Sequence, residues 1–273
     1  MKKLLFALFL FCNSFCFSQE ELFEYSPEVV SWIAQCSSRS GVVTCTYINL
    51  YINLERYSVN LGNYDRLWVM GIDIQANARV SLINPTSTNL TEVNSITWTQ
   101  NKGYTGNGTN MYINTNYTAS TQAVHYGLNQ MAFGIYIATS SNSGTTAPFG
   151  CDGTGATHGL FSGTSGFCLI NGGTQSSGNV TGGLFSGNFI WLQQSSAIHC
   201  IIEQNATAIQ NNASTPVALP TAPFFLFNRN NGSGTPQAGQ YATGRYSMAW
   251  IGTFNSITKQ NSNAHEIASL FGW

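Results

Sequence analysis

Acid–base and metal chemistry need carboxylates, imidazoles or thiolates brought close together, and this chain has few of any of them. From residue 86 to the end the acids are Glu92, Asp152, Glu203 and Glu266, no two within forty residues of each other. Cleaving a glycosidic bond generally takes two carboxyl groups about 5–9.5 Å apart, and local spacing supplies no such pair. His125, His158, His199 and His265 show neither His-x-His nor His-x-x-x-His spacing, so no zinc site is signalled. His199 and Glu203 would share one face of a strand, yet four residues at ~3.4 Å rise hold them about 13 Å apart. Asp152 and His158 could meet across a turn, but no G-x-S-x-G nucleophile accompanies them, and a loop carboxylate with a solvated imidazole is the simpler reading. Residues 153–159 fit a dinucleotide fingerprint poorly, because the last glycine stands one position late and no βαβ unit surrounds it. Calcium takes six to eight oxygens, commonly several carboxylates, and Asp65, Asp73 and Asp152 are the whole set of aspartates. The chain is expected to be no enzyme and to carry no metal or cofactor.

Thiols point to a compartment rather than to a reaction. Cys12 and Cys16 fall in the leader described below, leaving Cys36, Cys45, Cys151, Cys168 and Cys200. Spacing cannot fix connectivity, but Cys36 with Cys45 and Cys151 with Cys168 are local pairs in Gly/Ser-rich surroundings and are expected as disulfides. Each loop would stabilise by about 3 kcal/mol in the chain-entropy model. Cys200 alternates with Ile198 and Ile202, which suits a buried thiol packing as a small hydrophobe. No Cys-x-x-Cys occurs.

Binding is the remaining class. The 273 residues carry ten Lys+Arg, eleven Asp+Glu and 8% charged residues, against 43% apolar and 13% aromatic. An average domain has about 25% charged residues, so Asn, Ser, Thr, Gly and Gln have taken their place. That excludes coiled coils, which need charged outer positions, and nucleic-acid binders, which need a basic stripe. Neutral amides and aromatics suit a neutral glycan or a protein surface. The candidate ligand-binding residues are Tyr104 and Asn107 in the Gly-rich residues 103–108, Trp191, and Asn228, Arg229 and Asn230, which end a strand and enter a Gly-rich loop. Tyr104 is expected to be exposed there.

These residues must be positioned by β structure. Lys2 and Lys3, an apolar run over residues 4–11 and the small-x-small site Cys16-Phe17-Ser18 read as a signal peptide over residues 1–18, too short to span a ~30 Å bilayer. Its removal leaves eight basic against eleven acidic residues, a net charge of −3, and a protein expected outside the cytoplasm or on a cell or virion surface. Residues 19–66 form an N-terminal helical segment: Ser26, Pro27 and Glu28 make a helix start, and residues 46–61 show helical spacing ended by Gly62. Residues 66–71 read as a buried strand and 73–83 as a short helix stopped before Pro85. Beyond residue 90, alternation at Met131, Phe133, Ile135 and Ile137, and at Tyr246, Met248 and Trp250, with Gly/Asn/Ser/Thr turns between, reads as many short strands. Residues 261–271 read as a closing helix. Gly-Leu-Phe-Ser-Gly at 159–163 and 183–187 marks two similar turns rather than a repeat.

The order of segments resembles a known family. YDRLWVMGIDIQANARVSLI (residues 64–83), Ile96-Thr97-Trp98-Thr99, then GYTGNGTNMYINTNYTAST (103–121), FFLFNRN (224–230), GRYSMAWIG (244–252) and Asn255-Ser256-Ile257-Thr258 are similar to the concanavalin A-like, laminin-G-like jelly rolls common among phage virion and tail-associated proteins. The resemblance covers roughly residues 47–273. It implies a mainly β fold: an antiparallel β-sandwich over residues 67–273, with the small helical segment before it and a short C-terminal helix. The hydrolases of that family place Glu-x-Asp-x-x-Glu on one strand, which this chain lacks. The export signal and paired cysteines depart from the phage members. The implied function is a secreted, lectin-like or adhesion module; the alternative is a structural virion or surface-appendage subunit, with oligomerisation possible.

Overall fold

A computed structural model describes residues 31–32, 34–35, 63–87, 89–128, 130–139, 146–153, 156–162, 165–170, 176–181, 188–196, 199–204, 207–212, 218–253 and 268–269, with backbone alone for Ala156 and 162–212. The expected helix over 46–61, the Cys36–Cys45 pair and most of the closing helix lie outside the described residues.

The architecture is two antiparallel sheets facing each other. The first contains β1 (Tyr64–Val69), β3 (Thr97–Thr99), β4 (Gly103–Asn107), β6 (Met131–Thr139), β11 (Asn188–Ser196), β12 (His199–Gln204), β13 (Thr207–Asn212) and β16 (Thr243–Gly252), with α1 (Gln75–Ala78) following β1. Its order is β13-β12-β11-β6-β16-β4-β3. One side of the long β16 is divided, Thr243 to Tyr246 pairing with β4 and Met248 to Gly252 with β1. The second contains β2 (Thr91–Val93), β5 (Tyr112–Asn114), β7 (Thr146–Gly153), β8 (Ala156–Ser162), β9 (Ser165–Ile170), β10 (Ser176–Thr181), β14 (Phe225–Leu226) and β15 (Arg229–Asn230), with α2 (Ala119–Gln122) after β5. Its order is β10-β9-β8-β7-β14-β5-β2, and β15 lies parallel on β7. The mainly β sandwich expected from the alternating runs is the fold found.

Alternation dictates the core. Phe133 on β6, Phe149 on β7 and Phe224 before β14 meet with ring centroids 5.4–5.6 Å apart, closing the space between the sheets with aromatic area. Trp32 and Ala268, from short helical stretches at either end of the chain, are buried in the same cluster. Phe227 turns the chain between β14 and β15 at φ 64°, an uncommon region for a bulky residue. Its ring stacks flat on Tyr246 at 4.1 Å.

Two carboxylates, one buried and one half-buried, bolt the connections to the sheets. Asp65, on β1, accepts from the Tyr117 hydroxyl at 2.6 Å and from the backbone N–H groups of Val124, His125 and Tyr126 at 3.1, 2.8 and 3.0 Å. Glu92, on edge strand β2, accepts from Arg79 Nε and Nη2 at 2.7 and 2.8 Å, from Gln75 Nε2, and from the Tyr104 hydroxyl of β4. That carboxylate therefore ties the edge strand of the second sheet to β4 of the first. Burial, and then Glu92, push the Tyr104 phenol far above its ordinary range.

The register overturns one expected disulfide. Cys151 on β7 pairs with His158 on β8, whereas Cys168 on β9 pairs with Leu160 on β8. A whole strand separates the cysteines, about 9–10 Å at 4.7–4.9 Å per step, beyond the Cα separation a disulfide tolerates. Cys151 is a buried free thiol.

Candidate functional site

Strand pairing decides which residues share the outer face of the second sheet. Asn114, Phe225, Gly150 and Gly159 stand side by side across β5, β14, β7 and β8. Tyr112 and Asp152 lie two residues from this row on their own strands, and side chains at i and i+2 share a face. Phe149, Cys151, His158 and Leu160 alternate to the inner face. Hence Asp152 and His158 point to opposite sides of the sheet and form no dyad. His158 Nδ1 is instead hydrogen-bonded to the Tyr126 hydroxyl inside the core, at 2.6 Å.

At one end of the outer face sits an ion pair. A Cβ on Gly150 would lie 2.7 Å from the His158 carbonyl, and one on Gly159 would lie 2.8 Å from the Phe161 ring. Glycine at both positions lets Phe161 and the Arg229 stem lie flat on the sheet. The Arg229 guanidinium stands 5.4 Å from the Phe161 centroid and donates from Nη1 to Asp152 Oδ1 at 2.8 Å. Its Nε donates to Gln240 Oε1 at 3.2 Å. The two charged side chains keep 13% and 19% exposure. Burial raises the Asp152 carboxyl above the ordinary aspartate value, opposed by Arg229 and by a hydrogen bond from Thr157.

The other end is aromatic and uncharged. Half-buried Tyr112 lays its ring against Phe225 at 4.7 Å and 31°. Burial, and then neighbouring half-buried Tyr241, raise its phenol above the usual value. A turn of amides adjoins it. Asn107 Oδ1 accepts from the N–H groups of Thr109, Asn110 and Met111 at 2.9, 3.1 and 3.2 Å. Asn107 Nδ2 donates to Asn110 Oδ1 at 2.9 Å, and Asn94 Nδ2 to the Asn110 carbonyl at 2.7 Å.

The residues singled out in the sequence are distributed unevenly over this face. Arg229 lies on it, and exposed Asn107 lies at its aromatic end. Tyr104 does not: the expected exposed loop is strand β4, and Tyr104 is fully buried against Glu92. Asn228 and Asn230 are buried too. Asn228 Oδ1 accepts from the N–H groups of Arg229 and Gln237, and Asn230 Oδ1 from those of Gly232 and Gly234, so both amides shape the loop that presents Arg229. Trp191 is on β11 of the other sheet, opposite Gly134 and Glu203. Sequence reasoning missed Tyr112, Tyr241 and Asp152 as members of one face. The alternation of Tyr112 with Ile113 was the available signal for the first; nothing local links the other two. Among the described residues no group of three His, Cys, Asp or Glu side chains could hold a metal ion. No described helix is long and apolar enough to cross a membrane.

No protein-family model matches the chain, and no curated protein sequence does. Solved structures do resemble it. Trypanosoma rangeli sialidase in complex with 2,3-difluorosialic acid aligns at 10% identity and TM-score 0.48, over 81% of this chain and 39% of the sialidase. Domain 4 of a GH43 extracellular arabinanase from Geobacillus stearothermophilus, in complex with arabinotriose, aligns at 12% identity and TM-score 0.42, over 65% of this chain and 82% of the domain. A GH54 α-L-arabinofuranosidase aligns at 10% identity and TM-score 0.43, over 62% of this chain and 41% of the enzyme. The chain spans about two fifths of the sialidase it matches. The expectation that the chain is no enzyme is corrected here: enzymes stand among the solved structures it is similar to. Such distant likeness assigns no residue a role.

Proposed function

We propose that this protein binds a neutral carbohydrate on the outer face of its second sheet, and that it does so outside the cytoplasm after its leader is removed. The observation that carries the proposal is Tyr112, half-exposed, its ring backed by buried Phe225 at a 31° tilt and bordered by amides. A sugar ring offers an apolar C–H face and a rim of hydroxyls. A backed aromatic ring receives the first at little entropic cost, because the ring is already held, and Asn and Gln amides both donate to and accept from the second. Charge argues for a neutral ligand. Arg229 is paired with Asp152 on this face, as Arg79 is with Glu92 at the sheet edge, so an acidic sugar approaching either guanidinium would meet a carboxylate beside it. The arabinanase domain named above was solved with arabinotriose, a neutral sugar chain, which is in keeping with this reading.

A glycan array probed with the purified protein tests it. Signal is expected on neutral saccharides and not on sialylated or uronate-bearing ones. Tyr112→Ala should weaken the strongest signal about tenfold or more, roughly 1.4 kcal/mol. An array silent for every neutral saccharide, or binding unaffected by Tyr112→Ala, would overturn the proposal.

A further inference from the structure

We infer that the Arg229–Asp152 pair is a second sugar subsite on the same face as Tyr112, and that the ligand is therefore a linear neutral oligosaccharide bound along its length. This rests on the carbohydrate reading above and adds to it the ligand's size and shape.

Register gives the distance. Asn114 and Gly150 flank Phe225 at one level; Tyr112 lies two residues to one side of that level and Asp152 two residues to the other. Four residues along the strands and two strand spacings across them put the ends about 16 Å apart. That is longer than any single sugar ring, so a ligand touching both ends has to be a chain.

The strip between the ends is continuous. Tyr112 neighbours Tyr241, Gln240 precedes Tyr241, Gln240 accepts from Arg229 Nε, and Arg229 donates to Asp152. All five residues are half-buried, so the strip has been partly dehydrated already while one edge stays open to ligand.

The ion pair is built to accept hydroxyls. A guanidinium has five N–H donors and a carboxylate about four lone-pair positions. The contacts to Asp152 and Gln240 leave Arg229 Nη2 without a protein partner among the described residues. Asp152 accepts from Arg229 and Thr157 and keeps lone pairs to spare. A donor and an acceptor thus lie side by side. Adjacent sugar hydroxyls, each able to donate and accept, can take one contact apiece, and hydrogen bonds to charged groups are the stronger kind. The same arrangement disfavours a carboxylated sugar, whose charge would meet Asp152.

Isothermal titration calorimetry on the full chain without its leader tests the inference. The probes are glucose, cellobiose, cellotriose and cellohexaose, and arabinose, arabinobiose, arabinotriose and arabinohexaose. In the series that binds, affinity is expected to rise at least tenfold from the disaccharide to the hexasaccharide. The double variant Asp152→Asn with Arg229→Gln keeps the shape of the first side chain, keeps the aliphatic stem of the second, and leaves no uncompensated charge. It should bring the hexasaccharide down to about the wild-type affinity for the disaccharide. Equal affinity at every length, or a length dependence that survives in the double variant, overturns the second subsite and leaves the Tyr112 site standing. No binding in either series, together with a silent array, overturns both. If the double variant does not fold, the wild-type length dependence decides alone.

Discussion

Replacing Asp65 by Asn tests whether one buried carboxylate holds the 124–126 connection onto β1. The substitution keeps the shape and removes the charge. In the native protein the carboxylate accepts four hydrogen bonds, three of them from consecutive backbone N–H groups at 2.8–3.1 Å and one from Tyr117. An amide has a single oxygen, so its NH2 group must face at least one of those donors, leaving that N–H buried without an acceptor. An orphaned buried donor costs about 1–3 kcal/mol, and a hydrogen bond to a charged group contributes about 1.5–3 kcal/mol. One of each gives roughly 3–5 kcal/mol, in line with the loss from breaking a buried ionic contact. For a domain of 150–250 residues that lowers Tm by about 6–20 °C.

The assay is urea unfolding followed by tryptophan fluorescence, with hydrogen exchange on the same samples. Loss of stability should be accompanied by faster exchange at Val124, His125 and Tyr126, while the amides of β6 keep their order of protection. Arg66, buried beside Asp65 and 5.2 Å above the Tyr117 ring, donates to the Asp65 backbone carbonyl and so keeps that bond in the variant. A loss below about 1 kcal/mol, or unchanged exchange at 124–126, would refute the reasoning, because it would mean the three N–H groups find water instead.

Three further outcomes are expected. Because burial raises the Asp152 carboxyl in the folded state, the folded chain binds that proton more tightly than the unfolded chain. Wild-type stability relative to Asp152→Asn should therefore fall as pH rises from the ordinary aspartate pKa through the raised one, and stay level above it; urea midpoints measured between pH 3 and 8 check the sign, and a rise would contradict it. Gly103, at φ 99° and with the Tyr246 carbonyl where a Cβ would go, should lose about 2–4 kcal/mol as Ala. Gly234, at φ 86° with nothing within 4 Å, should lose only about 1 kcal/mol, so equal thermal shifts would be the wrong result. Finally, Cys151 should resist iodoacetamide in the native protein and react once unfolded, because it is fully enclosed and burial pushes its thiol up; a Cys151–Cys168 peptide in a non-reducing digest would contradict the register.

Much of the fold is legible in the sequence because burial of one sheet face forces a period of two. Met131 to Ile137 shows that period and becomes β6; Tyr246 to Trp250 becomes its neighbour β16, but a register shift there sets Tyr246 opposite Ile137 and Met248 and Trp250 opposite Tyr136 and Gly134, on the other face. Residues 66–70 are apolar apart from Arg66 and lie in and just after β1. The stretch at 103–108 misled because glycine reads as turn. Gly103 does need a positive φ, but Gly106 lies within β4, packed so closely against the Phe227 ring that a Cβ there would touch it. Glycine in that strand marks close approach of another element, not a loop. The outer face was less legible for a different reason. Tyr112, Tyr241 and Asp152 come onto one face through contacts between segments far apart in the chain, and spacing along one segment carries no record of such contacts. The Cys151–Cys168 pair failed the same way, since a separation of seventeen residues accommodates the intervening β8 as readily as a direct bridge.

The scarcity of charge takes on a different meaning once each carboxylate is placed. Asp65 is enclosed and fully engaged with four donors, so it is part of the scaffold. Glu92 receives Arg79 through two hydrogen bonds together with Gln75 and Tyr104, leaving little capacity for a ligand while it holds β2 to β4. Asp152 differs from both. It shares one guanidinium, keeps an open edge, and lies on a face that also carries an aromatic ring and amides. Of these three acids it alone combines spare hydrogen-bonding capacity with access. A chain with abundant surface charge would surround such a pair with competing ions and lose the contrast. With 8% charged residues, the Arg229–Asp152 pair stands on an otherwise neutral face, where hydrogen bonds to the uncharged ligand we propose would face little local competition. Low charge is therefore less a sign that chemistry is missing than the condition under which one polar pair can select among neutral partners.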